Sequence, residues 1–163
     1  MTIALVTAAL REMLRNQIAR SVPDLSDILI TTTSPDRARS DPTVPQLNLF
    51  LLNAAVDGAW RNDDGPGARA PGSPALGVTL HYLLTAYGRD EEAEGDLVCH
   101  RVLGAAMSVI HGSPLLDDIE AGRLSIAHRN MTALEMAALW ASFQMPYQLS
   151  AAYEVGIVPL QAR

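Results

Sequence analysis

PALGVTLHYLLTAYG, residues Pro74–Gly88, is the stretch of this sequence that decides the fold. Every second residue from Leu76 to Ala86 is apolar, whereas the residues between them are mixed. Because alternate side chains of a strand point to opposite faces of a sheet, this pattern predicts one fully buried and one partly buried face. Pro74 and Gly88 bound the segment as turn residues do. We expect a strand of roughly 40 Å, twice the usual length, at the centre of a sheet.

Helical and strand-like patterns lie on both sides of this segment. Three helices are predicted, over Ile3–Arg20 with Thr2 as N-cap, over Asp90–Ile110 with acidic first turns, and from the capping box Thr132–Glu135 to Phe143. Four further strands are predicted at Ile28–Thr33, Gln46–Val56, Leu124–Ala127 and Tyr147–Leu160. Ser34–Pro45 and Asn62–Ser73 are rich in Pro or Gly and are expected to be flexible connections. The sequence therefore predicts an α+β fold, with about three helices packed on a mainly antiparallel (mixed) sheet.

Composition limits the class of protein. The chain has 163 residues, of which 48% are hydrophobic and 18% charged, and this favours one folded domain over residues 1–163. Cys99 is the sole cysteine, so neither an internal disulfide nor a cysteine-based zinc site can form. The apolar runs are too short to span a bilayer, and no secretory signal is recognisable. We expect synthesis in the cytoplasm and no membrane partner.

The charge pattern does not favour nucleic acid as a partner. The net charge is −6, and all twelve basic residues are arginines that are scattered along the chain. An acidic chain without a basic stripe attracts phosphate backbones only weakly. Nucleic-acid binding is therefore not expected.

The four histidines and the cysteine form no recognisable catalytic pattern. Cys99 and His100 are neighbours on a predicted helix and point in different directions, so they are no nucleophile–base pair. The predicted central strand places His81 on its mixed face, where a hydrogen-bonded structural role is the commoner one. No glycine-rich phosphate loop follows a strand. The sequence predicts no catalytic residue, no metal site and no cofactor.

Four segments resemble a known family. LNLFLLNAAVDGAWRN (Leu47–Asn62), PALGVTLHYLLTAYG (Pro74–Gly88), LVCHRVLGAAMSVIHGSPLL (Leu97–Leu116) and the closing PYQLSAAYEVGIV, which follows LW at Leu139, run in order through most of the chain. They are similar to the cap, or tail-terminator, family of extracellular contractile injection systems, which are phage-tail-like particles with a sheath, an inner tube and a baseplate. Larger members carry additional C-terminal sequence, so this chain resembles the conserved N-terminal domain.

The resemblance implies a structural role. Members are similar to phage tail terminators, and this likeness implies a ring of six copies at the end of tube and sheath distal to the baseplate. The implied partners are other copies of this chain, the inner tube and the sheath, within a particle that is assembled in the cytoplasm and can be released from the cell. Candidate interface residues are Trp60, Arg61 and Asn62 at the start of one connection, and Tyr147, Tyr153 and Glu154 near the last strand. Core packing is the alternative role for the two tyrosines.

Two other functions are compatible with the residues. The chain could be a tube or sheath building block of the same particle, in which case the purified protein should form filaments. It could also be a small α+β enzyme or ligand-binding protein, in which His81 and a neighbouring carboxylate line a pocket.

Overall fold

The computed structural model describes residues 2–39, 41, 43–58, 75–89, 95–119 and 122–161. Three helices are formed by Ile3–Ser21 (α1), Gly95–Gly112 (α2) and Ala133–Ser142 (α3). Six strands are formed by Leu29–Thr31 (β1), Gln46–Val56 (β2), Ala75–Tyr87 (β3), Leu115–Ile119 (β4), Gly122–Arg129 (β5) and Ser150–Gln161 (β6). Short 3₁₀ turns occur at Pro23–Leu25 and Pro35–Arg37.

One sheet contains all six strands in the order β1-β2-β3-β6-β5-β4. β1 is parallel to β2, and the other neighbouring pairs are antiparallel. The predicted α+β class with a mixed, mainly antiparallel sheet is confirmed. β3 lies inside the sheet, between β2 and β6, as its length and its apolar pattern indicated.

The main core lies between one face of the sheet and helices α1 and α2. Four α1 side chains at a spacing of four residues are fully buried in it, namely Val6, Leu10, Leu14 and Ile18. β3 contributes the alternating set Val78, Leu80, Tyr82, Leu84 and Ala86. Leu76 was expected to continue this buried face but is largely exposed, because it lies at the end of the strand beyond the last core residue, Val78.

The opposite face of the sheet carries α3. Leu83 of β3 packs with Met136 and Trp140 of α3 in a second cluster that is separate from the main core. Phe50, the cross-strand neighbour of Leu83, contacts the ring of Phe143 edge-on with 6.0 Å between the ring centres. Helices therefore lie on both faces of the sheet. Of the described helices, α1 and α2 pack on the first face and α3 packs on the second.

The structure corrects several predicted boundaries. β4 was not predicted, because Pro114 and the two aspartates of LLDDI indicate a turn; the strand forms by pairing with β5. β1 is shorter than Ile28–Thr33, and β6 begins at Ser150 instead of Tyr147. The short strand expected at Leu124–Ala127 is the centre of a longer one, β5.

The connection after β1 is a loop with one 3₁₀ turn. Its residues 33–39 lie on the second sheet face, where side chains of β2 bind them. Asn48 Nδ2 donates to the Thr33 carbonyl over 3.0 Å, and Gln46 Nε2 donates to the Ala38 carbonyl. Gln46 and Asn48 are fully buried, and these bonds satisfy their side-chain amide nitrogens, whereas Gln46 Oε1 has no partner in the described part of the chain. Asn62–Ser73, the second expected arm, lies outside the described residues.

Candidate interface surfaces

The six predicted interface residues fall into three groups. Trp60, Arg61 and Asn62 lie outside the described residues. Tyr147 lies between α3 and β6 with 57% of its surface exposed. Tyr153 and Glu154 are consecutive on β6 and therefore point to opposite faces of the sheet.

Tyr153 is a core residue, with only 3% of its surface exposed. It stands opposite Tyr82 on β3 and opposite His128 on β5, and its ring meets the His128 ring edge-on at 5.2 Å. Burial raises the pKa of its phenol above the usual value. Because Tyr153 is almost fully buried, little of its surface could contact a partner. Its ring instead packs against His128, which is exposed.

Glu154 is half-buried on the second sheet face, and polar and small residues surround it. His81 stands opposite it on β3, and Ala127 stands opposite it on β5. The nearby Arg129 directs its Nη1 to His81 Nδ1 over 3.2 Å, which makes His81 Nδ1 the acceptor. Within the described part of the chain, the Glu154 carboxylate takes part in no hydrogen bond or ion pair.

Three other neighbours of Glu154 have short side chains or none. Thr79 and Gly156 are half-buried, and Ser125 on β5 is exposed and donates to the Gly156 carbonyl over 3.1 Å. Glu154 is thus a half-buried acidic group on the second sheet face, beside the longer side chains of His81 and Arg129.

A second surface is the outward side of α3. Four residues at positions i, i+3, i+4 and i+7 are exposed and apolar: Leu134, Ala137, Ala138 and Ala141. Leu134 is the most exposed large apolar residue in the described part of the chain, at 80% of its surface. The spacing could have revealed this stripe in the sequence, but the inward stripe of the same helix, with Met136 and Trp140, obscures it.

A third surface is a groove between the C-terminal half of α2 and strands β5 and β6. Its walls include Met107, His111, Ile126 and His128, with Tyr153 below them. No sequence pattern indicated this groove, because its walls come from elements that are distant along the chain. His81 does not line it.

The described residues supply no sign of catalytic chemistry. Among them, no three His, Cys, Asp or Glu side chains lie close enough together to hold a metal ion. Burial is the main reason why the pKa of the Cys99 thiol lies above its usual value, and a raised pKa lowers thiol reactivity. His81 has the carboxylate neighbour that the sequence hypothesis required, Glu154, but the two stand on a sheet surface. No helix in the described part of the chain has the length and apolarity needed to cross a membrane.

Two solved structures have a fold similar to that of this chain. The chain is similar to a chain solved as the PVC sheath/tube terminator of an extracellular contractile injection system in its extended state, with a TM-score of 0.72 and 19% identity. It is equally similar to the tube-terminating cap of the anti-feeding prophage, AFP, again with a TM-score of 0.72 and 19% identity. The likeness covers 100% of this chain, but only 57% and 56% of those two chains.

No curated protein matches the chain. A family model does: the one described as the Pvc16 N-terminal domain matches residues 5–163, which is nearly the whole sequence. The resemblance noted in the sequence is confirmed, and the chain belongs to the Pvc16 N-terminal domain family.

Proposed function

We propose that this chain is a non-enzymatic cap that forms a ring at the baseplate-distal end of a contractile injection particle and terminates its inner tube and sheath. The observation that carries the proposal is the likeness of the whole chain to two terminator proteins, in combination with the family match.

A ring of identical copies needs two different contact surfaces on each copy, placed so that the rotation between neighbours closes. This chain offers different surfaces on the two faces of its sheet. The helix α1 lies over one face, and the open region around Glu154 lies on the other. We propose six copies, the number expected from the resemblance to tail terminators.

We choose the proposed contact residues by their exposure at the surface. Glu154 and Tyr147 are available at the surface, and we propose that both take part in contacts, together with Trp60, Arg61 and Asn62. Tyr153 would act indirectly, through the His128 ring that it supports. The inner tube and the sheath are the proposed partners beyond the ring, and strand addition at an edge of the sheet is a suitable mode of contact.

We propose that residues 1–163 act as one terminator-like domain. The protein would be made and assembled in the cytoplasm, as part of a particle that can be released. Its relatives in the solved structures are considerably longer, so their further contacts are not transferred to this chain.

Negative-stain microscopy of particles from cells with and without this chain tests the proposal. Loss of the chain should give particles of irregular length, or bare tubes and unstable sheaths, and the wild-type gene supplied in trans should restore them. Particles of normal length and stability would contradict the proposal.

Labelling the chain within purified particles provides a second test. Label at one end supports the cap, whereas label along the whole shaft identifies a tube or sheath subunit instead. The His81→Gln variant addresses the enzyme hypothesis: a cap should tolerate this change in particle assembly, whereas the loss of a measurable enzymatic activity would contradict the non-enzymatic role.

A further inference from the structure

Two buried polar atoms on neighbouring strands have no hydrogen-bond partner in the described part of the chain. They are Gln46 Oε1 in β2 and the hydroxyl oxygen of Tyr87 in β3. Gln46 is fully buried, and only 8% of the Tyr87 surface is exposed. The two residues stand directly opposite each other, so their side chains leave the sheet on the same face. A third such atom, Trp140 Nε1, lies among the apolar side chains of the second core cluster.

The hydrogen bonds of its nitrogen fix the orientation of the Gln46 amide. Nε2 donates to Thr31 Oγ1 over 2.8 Å and to the Ala38 carbonyl. The Thr31 hydroxyl donates its own hydrogen to Asn48 Oδ1, so it can only accept from Gln46. Turning the amide over would place Oε1 against the Ala38 carbonyl, which is another acceptor. Oε1 is therefore the unbonded end of a fixed amide, and only a donor can satisfy it.

The surroundings of Tyr87 restrict the charge of that donor. The guanidinium carbon of Arg39 lies 5.5 Å from the centre of the Tyr87 ring. Arg39 Nη2 donates to the Gly88 carbonyl over 2.6 Å, and Nη1 donates to the Val44 carbonyl over 3.3 Å, so the positive charge is held in place. A bound cation would be repelled by this charge, and an anion would face the partial negative charge of Gln46 Oε1. A neutral donor fits both neighbours.

Water is the smallest neutral molecule that meets these requirements. It can donate to Gln46 Oε1 and accept from the Tyr87 hydroxyl, and buried waters typically bond to two or more polar groups that would otherwise be unsatisfied. Leaving both groups enclosed without partners would destabilise the fold. We propose that one buried water molecule is bound between β2 and β3, beneath residues 33–39, and bridges Gln46 Oε1 and the Tyr87 hydroxyl. This inference does not depend on the proposed cap function.

A high-resolution crystal structure of the full chain tests the site directly. One ordered water should lie within about 2.5–3.0 Å of both Gln46 Oε1 and the Tyr87 hydroxyl oxygen. In crystals of Tyr87→Phe this water should be lost or weakly occupied, because one of its two partners is removed. A direct hydrogen bond between Gln46 and Tyr87, a water bound to only one of them, or no water at the site would overturn the proposal.

Urea unfolding of Tyr87→Phe provides a second measurement, because the sign of its effect depends on whether the hydroxyl is bonded. Removal of a water-bonded hydroxyl should lower the urea midpoint, as Tyr82→Phe should through the loss of its contact with Thr7. Removal of an unbonded buried hydroxyl should leave the midpoint unchanged or raise it, because no hydrogen bond is lost and a desolvated polar group is removed. Tyr147→Phe, at an exposed position, is the control and should match wild type. A Tyr87→Phe midpoint at or above that of wild type would contradict the bridging water.

Discussion

The hydroxyl of Thr7 in α1 lies 2.8 Å from the phenolic oxygen of Tyr82 in β3. This contact joins the first helix to the central strand across 75 residues of sequence, inside the main core. Thr7 also donates to the Ile3 carbonyl over 3.1 Å, so its hydroxyl hydrogen is committed there and Tyr82 donates to Thr7. The polar end of Tyr82 is thus satisfied in an otherwise apolar layer.

Tyr82→Phe should lower the free energy of unfolding by about 1 kcal/mol, because it removes one hydrogen bond and leaves Thr7 with a partner. Urea denaturation followed by circular dichroism measures the change. Tyr147→Phe is the control, since Tyr147 is exposed, and should leave stability within about 0.5 kcal/mol. Equal effects of the two changes would show that the contact with Thr7 contributes nothing.

Trp140 should dominate the stability of the second core cluster. Its side chain is almost fully buried against Leu83, and its ring also contacts Phe143 edge-on at 5.6 Å. Trp140→Ala should cost about 3–5 kcal/mol of unfolding free energy, because a large cavity forms between α3 and the sheet. Leu134→Ala on the outward side of the same helix should change stability by about 0.5 kcal/mol or less. If both variants lost a similar amount of unfolding free energy, Trp140 would not be the side of α3 that packs on β3.

Asn48 should be the most sensitive polar residue of the sheet. It accepts a hydrogen bond from Thr31 over 2.8 Å and donates one to the Thr33 carbonyl over 3.0 Å, both in a fully buried position. Asn48→Ala removes both hydrogen bonds, although the Thr31 hydroxyl keeps the one it accepts from Gln46 Nε2, and should cost about 2 kcal/mol. Asn53→Ala, at an exposed position of the same strand, is the matched control.

Limited proteolysis reads out the local effect of Asn48→Ala. Cleavage within residues 33–39 should become faster than in wild type, because Asn48 holds this connection on the sheet. Unchanged cleavage together with a full stability loss would mean that the connection is held by other contacts.

Glu135 links the start of α3 to pH. Its carboxylate accepts hydrogen bonds from the Thr132 amide at 2.7 Å and from the Thr132 hydroxyl at 2.8 Å, and these hold its pKa below the usual value of 4.5. A carboxyl pKa that is lower in the folded than in the unfolded state contributes stability above the unfolded value and loses it as pH falls through the folded value. The cap contribution should therefore begin to decline near pH 4.5 and be lost below the folded-state pKa of Glu135.

The test compares the thermal unfolding midpoints of wild type and Glu135→Gln between pH 7 and pH 3. Wild type should be the more stable at pH 7, and the two proteins should converge as pH falls. Asp36 and Asp41 have lowered pKa values as well, so both proteins should still lose stability at low pH. A constant difference between them across this range would contradict the role of the Glu135 charge.

Local sequence patterns were sufficient to predict helices and strands that have one side facing the core. β2 was predicted with its observed bounds, and the Thr132–Glu135 capping box and the Thr2 cap were both found in place. β4 was missed because its residues have no strand pattern of their own, and the pairing with β5 supplies the stabilisation. Ser34–Pro45 was predicted as a connection, but its packing on the sheet was not predicted, because the residues that bind it, Gln46 and Asn48, belong to another element.

By itself the sequence determined the fold class, the long apolar strand at the centre of the sheet and the family, because periodicity and family motifs are properties of neighbouring residues. The tertiary structure alone decided which face each helix covers, and that Tyr153 is enclosed while Glu154 is only half-buried. These features depend on the order in which strands pair. Strand order is set by the total burial of apolar surface across the whole chain, which no local stretch of sequence contains.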